Sequence, residues 1–219
     1  MSVYDKIWKQ KKPKGYYKTS ISGQVMKLFR QIKAERVLDI GAGDGTNLIY
    51  LAKKGFQSYG LEISKEGIKK ARKKAKQENC IVQVLEADMF HPLHYKTEFF
   101  DAVYSYQTMN HGRHGQILKL LKEIHRILKP GGIFSIKVVQ RKSFKPKKLQ
   151  KDIYYEKSRE KTYKFLEENT YVPMQGEEKG LVHYYFTREQ LKREVSQIGF
   201  KFLNLKEAGH HIIENFKKK

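Results

Sequence analysis

The sequence predicts an α/β fold, a parallel sheet covered by helices on both faces, and three observations carry that prediction. Strand and helix patterns alternate along residues 20–139, as a parallel sheet with crossover helices requires. A glycine loop, Gly41-Ala42-Gly43-Asp44-Gly45, joins the first strand to a helix. Three carboxylates, Asp39, Glu62 and Asp88, stand at the ends of three successive strands. At 219 residues, 39% hydrophobic and 12% aromatic, the chain suits a single domain over 1–219 and is short for two.

The elements follow in order. Residues 20–35 read as a helix, with Val25, Leu28, Phe29 and Ile32 on one face. Residues 36–40 (RVLDI) form the first strand, and residues 46–54 a helix that Gly55 stops. The second strand spans 57–63. Ser64 caps a helix running to Gln77, with Ile68, Ala71 and Ala75 towards the sheet and its lysines towards solvent. Residues 81–87 and 99–106 are the third and fourth strands. Cys80, just before an apolar run, is expected as a small buried hydrophobe.

Ile117, Leu121, Ile124 and Leu128 recur at helical spacing in 116–128. Lys129-Pro130-Gly131-Gly132 then turns into a fifth strand, 133–139. Here the alternation breaks. Residues 141–178 are polar, basic and rich in tyrosine, with one helix expected around 149–168. An amphipathic helix at 187–198 and two closing strands, 200–206 and 210–216, complete the chain.

The balance of 45 Lys+Arg against 23 Asp+Glu gives +22. Such a charge raises RNA as a partner, since cations displace counterions from phosphates. A lysine-rich composition spread over solvated faces accounts for it as well. The single cysteine excludes an internal disulfide and an all-cysteine metal site. No run approaches the ~18 apolar residues of a membrane span, and residues 1–14 do not read as a signal peptide. A cytoplasmic protein without a membrane partner is expected.

The glycine loop holds the chemistry. Glycines let the backbone turn sharply beside a ligand, and the following helix points its N–H groups into the crevice. A dinucleotide fingerprint wants a third glycine where Thr46 stands, so that pattern fails. Asp39, at the strand exit, would repel a pyrophosphate and suits a ligand carrying an ammonium group. S-adenosylmethionine (SAM) has one, together with a sulfonium. Glu62, 21 positions after Gly41, stands where a carboxylate accepts ribose hydroxyls. Asp88 is placed to accept an adenine amino group.

The stretches VLDIGAGDGT, GLEIS, EADMF, FDAVYSYQTMNH and LKPGGIFSI resemble the successive motifs of class I, Rossmann-like SAM-dependent methyltransferases. The resemblance implies a doubly wound, seven-stranded, mostly parallel sheet with its last strand antiparallel, and S-adenosylhomocysteine as product. It implies that Gly41 and Gly43 line the methionine and that Glu62, with Ile63 beside it, serves the ribose. Asp88 and Met89 would edge the adenine. Gln107 would lie by the methionine carboxylate or the transferring methyl. It also implies a lid at 1–19, carrying Tyr4, Trp8, Tyr16 and Tyr17, and a covering insertion at 141–186 that leaves the fifth strand.

The acceptor leaves a fainter mark. After the fourth strand stands Gln107-Thr108-Met109-Asn110-His111, with no Asn/Asp-Pro-Pro-aromatic motif. No cysteine follows the fourth or fifth strand, which argues against cytosine C5 methylation through a covalent adduct. His111 is the candidate for taking the acceptor's proton; the alternative is that it only packs. His91 with His94, and His210 with His211, match no recognised metal spacing, so no metal is expected. Methyl transfer to a small or exposed nucleophile is the expected function. RNA methylation, and a SAM-binding scaffold or activator subunit, are the alternatives.

Overall fold

The computed structural model describes residues 2–9 and 21–219. Tyr16, Tyr17 and the expected helix start at Ser20 lie outside the described residues. The helices are α1 (Val3–Lys9), α2 (Gly23–Gln31), α3 (Thr46–Ala52), α4 (Lys65–Gln77), α5 (His114–Ile127) and α6 (Arg188–Gln197). The strands of the first half are β1 (Arg36–Ile40), β2 (Gln57–Glu62), β3 (Val82–Glu86), β4 (Phe100–Tyr106) and β5 (Leu128–Val139). Then come β6 (Lys147–Gln150), β7 (Ile153–Glu156), β8 (Lys161–Glu167), β9 (Thr170–Pro173) and β10 (His183–Tyr184), and finally β11 (Phe200–Ala208) and β12 (His211–Lys218).

One sheet has seven strands in the order β11-β12-β5-β4-β1-β2-β3. Strands β1 to β5 pair in parallel, and β12 runs antiparallel to both β5 and β11. This is the doubly wound sheet that the sequence predicts. Burial explains why it forms. Leu38 and Ile40 on β1 belong to one core with Ile117, Leu121 and Ile124 of α5 and Leu191 of α6 on one face. Val37 meets Val25 and Phe29 of α2 and Leu51 of α3 on the other. The period-two alternation of the strand therefore feeds two separate cores.

The Lys-rich helix α4 buries Gly67, Ile68, Ala71 and Ala75, as its periodicity predicts, and the Ser64 hydroxyl caps it by accepting from the Gly67 N–H at 3.1 Å. At the sheet edge the expectation for Cys80 fails. It is half-buried and its neighbour Ile81 is 90% exposed. Strand β3 lies at the sheet edge and its residues are half-buried or exposed, so its apolar run is not enclosed.

The larger correction concerns residues 149–168, expected as a helix. They form strands of a separate five-stranded antiparallel sheet, in the order β10-β9-β8-β7-β6. Its turns use left-handed residues without glycine, Glu160 (φ +50°) and Asn169 (φ +58°). Glu160 carries no turn signal, and Asn169, which a turn favours, stands where it also reads as the end of a helix. Phe144, Tyr163, Tyr171 and Tyr185 build its own small core. Phe144 and Tyr185 stack with centroids 3.8 Å apart and planes within 4°; Tyr163 and Tyr171 meet Phe144 edge-on. The insertion is clamped at its base, where the Arg141 N–H donates to the Phe186 carbonyl at 2.7 Å.

Candidate active site

Winding proceeds from β1 towards β3 on one side and from β4 towards β5 on the other, so the loops leaving β1 and β4 part. A crevice is left at the carboxyl ends of those strands. It holds a cavity of about 390 Å³, within the ~300–1,000 Å³ usual for small-molecule sites. Gly41, Leu61, Glu62, Ile63, Ala87, Asp88 and Met89 line it from the ends of β1, β2 and β3. Gln107, Thr108 and His111 line it from beyond β4, and Glu178 and Leu181 from the insertion. Tyr4, Ile7 and Trp8 of α1 form the remaining wall.

Glycine is required at two points of the loop. Gly41 has φ +84°, and a Cβ there would stand 2.2 Å from the Thr108 side chain. Gly43, at φ +55°, would meet the Trp8 ring at 2.3 Å. Both are strained for any other residue. Helix α1 is fixed against the start of α4, where Asp5 Oδ1 accepts from the Ser64 hydroxyl at 2.7 Å and the Trp8 carbonyl accepts from Lys70.

Glu62 is held by backbone donors. Oε2 accepts from the Gly43 N–H at 2.7 Å, and Oε1 accepts from the N–H groups of Ile63 (3.0 Å) and Ser64 (2.8 Å). Burial pushes its carboxyl upwards, and these donors pull it back. Asp88 is ordered by accepting from the Phe90 N–H at 2.9 Å. Asp39 lies beneath the cavity floor, not on it, and is 2% exposed. Burial raises it to about 7 against the pull of the nearby Tyr104 hydroxyl, and Glu62 and Asp44 add repulsion. Its Oδ2 has no hydrogen-bond partner among the described residues.

The wall beyond β4 is organised differently. Gln107 takes a left-handed φ of +59°, and its Nε2 lies 2.8 Å from His211 Nε2. His111 ends a short 3₁₀ turn, Met109–His111. Its ring stands 4.7 Å from that of His183, edge to face, and 6.1 Å from that of Tyr4. Burial lowers His111, and Glu178 with the Val182 and Gln107 backbones partly offsets this. His111 Nδ1 is buried without a partner among the described residues. His183 falls to about 3 through burial, then through His111, Lys161 and Arg159. Its Nε2 lies 3.6 Å from Glu178 Oε2. Tyr4 is pushed up to about 12 by burial and by Asp88, Glu62 and Glu178.

Of the sequence-predicted residues, Gly41, Glu62, Ile63, Asp88, Met89, Gln107 and His111 converge on one cavity. Gly43 stands behind Trp8 and Asp39 under the floor. Thr108, Phe90, Glu178, Leu181 and His183 were not foreseen. Glu178 lies 67 positions after His111, and no spacing rule connects the two.

The arrangement fits SAM on its own terms. The cavity wall carries three carboxylates, Glu62, Asp88 and Glu178, and no Lys or Arg among the described residues, in a chain of +22. That lining attracts a cationic ligand. The partnerless Asp39 oxygen below the glycine loop and the ordered Glu62 supply acceptors for an ammonium and for ribose hydroxyls.

Comparison with known proteins agrees. A family profile described as a methyltransferase domain matches residues 37–132. A carboxy-S-adenosyl-L-methionine synthase of Nautilia profundicola is 30% identical over 168 residues, covering 74% of this chain and 69% of that protein. The chain spans half or less of three further curated relatives. Among solved structures, a SAM-dependent methyltransferase from Methanosarcina mazei aligns with TM-score 0.74 at 18% identity, over 91% of this chain and 99% of that one. The Burkholderia thailandensis 1,6-didemethyltoxoflavin-N1-methyltransferase, with bound acceptor and S-adenosylhomocysteine, aligns with TM-score 0.65 at 16% identity, over 89% and 76%.

Proposed function

Taking as premise that this chain belongs to the class I SAM-dependent methyltransferases and is such an enzyme, we propose that its acceptor is a small molecule. The observation that carries this reading is the cavity itself. It is walled by α1 and the insertion and lined without a single Lys or Arg among the described residues. A phosphate reaching the acceptor end of that wall would meet Glu178 with no cation beside it among the described lining residues, and like charges repel.

When bound, SAM supplies a sulfonium methyl: the bond to the nucleophile forms as the carbon–sulfur bond breaks, its electron pair goes to sulfur, and S-adenosylhomocysteine remains. The chain's own residues position and shield. Glu62 accepts the ribose hydroxyls, held in place by three backbone donors, with Ile63 at its side. Asp88 and Met89 edge the adenine. Gly41 allows the backbone to approach the methionine, Gly43 gives room for the Trp8 ring that walls the cavity, and Asp39 attracts the methionine ammonium from below. Gln107, anchored by His211, borders the methionine's carboxylate end. His111 is kept neutral by burial and takes the acceptor's proton. We propose Tyr4, Trp8 and the insertion as the cover that excludes water, and the cytoplasm as the setting. No described helix is long and apolar enough to cross a membrane.

Incubating the protein with methyl-labelled SAM, a metabolite extract and total RNA tests the reading. Label is expected in the small-molecule fraction. Label confined to RNA would overturn it. Binding of SAM with no label in either fraction would favour the scaffold alternative. RNA binding that is tight, structure-selective and lost when the exposed Lys147 and Lys148 of β6 become Gln would point the same way as labelled RNA.

A further inference from the structure

The two ends of the cavity differ in chemistry. The β2 and β3 end carries the acceptors suited to an adenosine. The end beyond β4, where the acceptor must sit if SAM occupies the rest, is built from Tyr4, Phe90, His111, Leu181 and Glu178. Phe90 is pressed against the turn that holds His111, since a Cβ on Gly112 would meet its ring at 2.2 Å. The rings of Tyr4 and His183 approach His111 edge-on. A partly exposed carboxylate, Glu178, faces this aromatic box from the insertion.

Histidines and tyrosines flank Glu178. His183 and His111 are both held neutral by burial. Tyr4, Tyr163 and Tyr185 are raised, and therefore uncharged, with burial the largest cause and Glu178 contributing to each. Lys161 and Arg159 lie behind His183 on the insertion and do not line the cavity. The net charge presented to an acceptor is thus negative, framed by aromatic faces.

We propose that the acceptor is a small organic nitrogen base, an amine or basic heterocycle, with Glu178 as its counter-ion and the Tyr4–Phe90 side as its aromatic wall. Carboxylate and aromatic faces together recognise a protonated nitrogen. A carboxylate- or phosphate-bearing acceptor would enter a cavity with no cation on its wall. The nitrogen that Glu178 holds in its protonated form gives one proton to His111 before attack, which frees the lone pair that forms the nitrogen–methyl bond. The methylated nitrogen leaves as the cation, and His111 passes its proton to solvent. The proposal rests on the small-molecule reading above and narrows it.

The test measures binding, not turnover. Protein saturated with S-adenosylhomocysteine is titrated with benzylamine, benzyl alcohol, benzoate and phenyl phosphate, followed by ligand-observed NMR. Benzylamine is expected to bind about tenfold or more tightly than either anion. Glu178→Gln should erase most of that preference, and Glu178→Lys should invert it. Because Glu178 sits in an exposed loop, neither variant threatens the fold. Equal or tighter binding of benzoate or phenyl phosphate, no binding of benzylamine, or an unchanged preference in Glu178→Gln would each overturn the proposal. Failure of the wild type to bind S-adenosylhomocysteine would instead sink the methyltransferase reading beneath it.

Discussion

The floor and the far wall of the cavity are built on opposite principles. The floor is contiguous in logic: each strand end delivers one carboxylate, and backbone N–H groups fix two of them, three at Glu62 and one at Asp88. The wall is assembled from α1, the 3₁₀ turn and the insertion, which are far apart in sequence and are held together by ring packing. Backbone-fixed groups make a site that many sequences share. Side-chain-fixed groups make one that can be retailored, and the proposed acceptor site lies in the wall. On this contrast, perturbing the wall leaves cofactor affinity intact, and perturbing the floor does not.

The largest separation is expected from Phe144→Ala. Phe144 is fully buried and stacks on Tyr185, which belongs to the insertion's own core. Removing such a ring costs about 3–5 kcal/mol. The loss should fall on the insertion alone, because that core is separate from the two that flank the main sheet. Hydrogen exchange should show β7 to β9 opening while β1 and β4 stay protected, and calorimetry should show cofactor affinity within about twofold of wild type. Simultaneous loss of protection in β1 would mean that the two sheets are one cooperative unit.

His111→Ala comes next. A positioned base contributes about 10²–10⁴-fold, so kcat should fall at least about 100-fold with S-adenosylhomocysteine affinity little changed. His111 stands beyond β4, on the opposite side of the switch point from Glu62. A kcat within about twofold of wild type would reduce His111 to packing.

Glu62→Gln probes the floor. The substitution keeps the shape but loses the charge, and it turns an N–H donor towards donors already there. Hydrogen bonds to a charged group are worth about 1.5–3 kcal/mol, so cofactor affinity should fall about tenfold or more. Acceptor preference among the molecules still turned over should not move.

These expectations also show why the sequence revealed one half of the site and not the other. The glycine loop and the carboxylates at strand ends are local patterns: each lies within a few residues of the strand that positions it. Seven of the nine residues singled out in the sequence line the cavity. The insertion offered no such handle. Its outer face still carries Ile153, Tyr155 and Val172, so polar and apolar residues do not alternate cleanly. Its turn at Glu160 hides in a residue that a helix also accepts, and Asn169 reads equally as a residue that ends a helix. Glu178 and His183 join His111 only through that sheet, and its pairing is long-range information.

The smallest effect expected is a proton count. Asp39 sits at about 7 in the folded chain, raised first by burial, against a usual carboxylate value near 4. Between about pH 4 and 7 the folded state therefore keeps a proton that the unfolded chain has released. Stability contributed by this group is fully present below about pH 4 and is lost as pH rises through 7. A ligand ammonium above the glycine loop favours the ionised form, so binding must expel the proton. Cofactor affinity should then rise severalfold from pH 6 to 8. Calorimetry in phosphate and in Tris should differ by the buffers' ionisation heats near pH 7. Asp39→Asn should flatten both the thermal-stability slope and the affinity slope. If the wild type binds with no proton release at pH 7, and Asn at this position changes nothing, Asp39 is only a buried floor residue. The charge match between floor and ligand would then rest on Glu62 and Asp88.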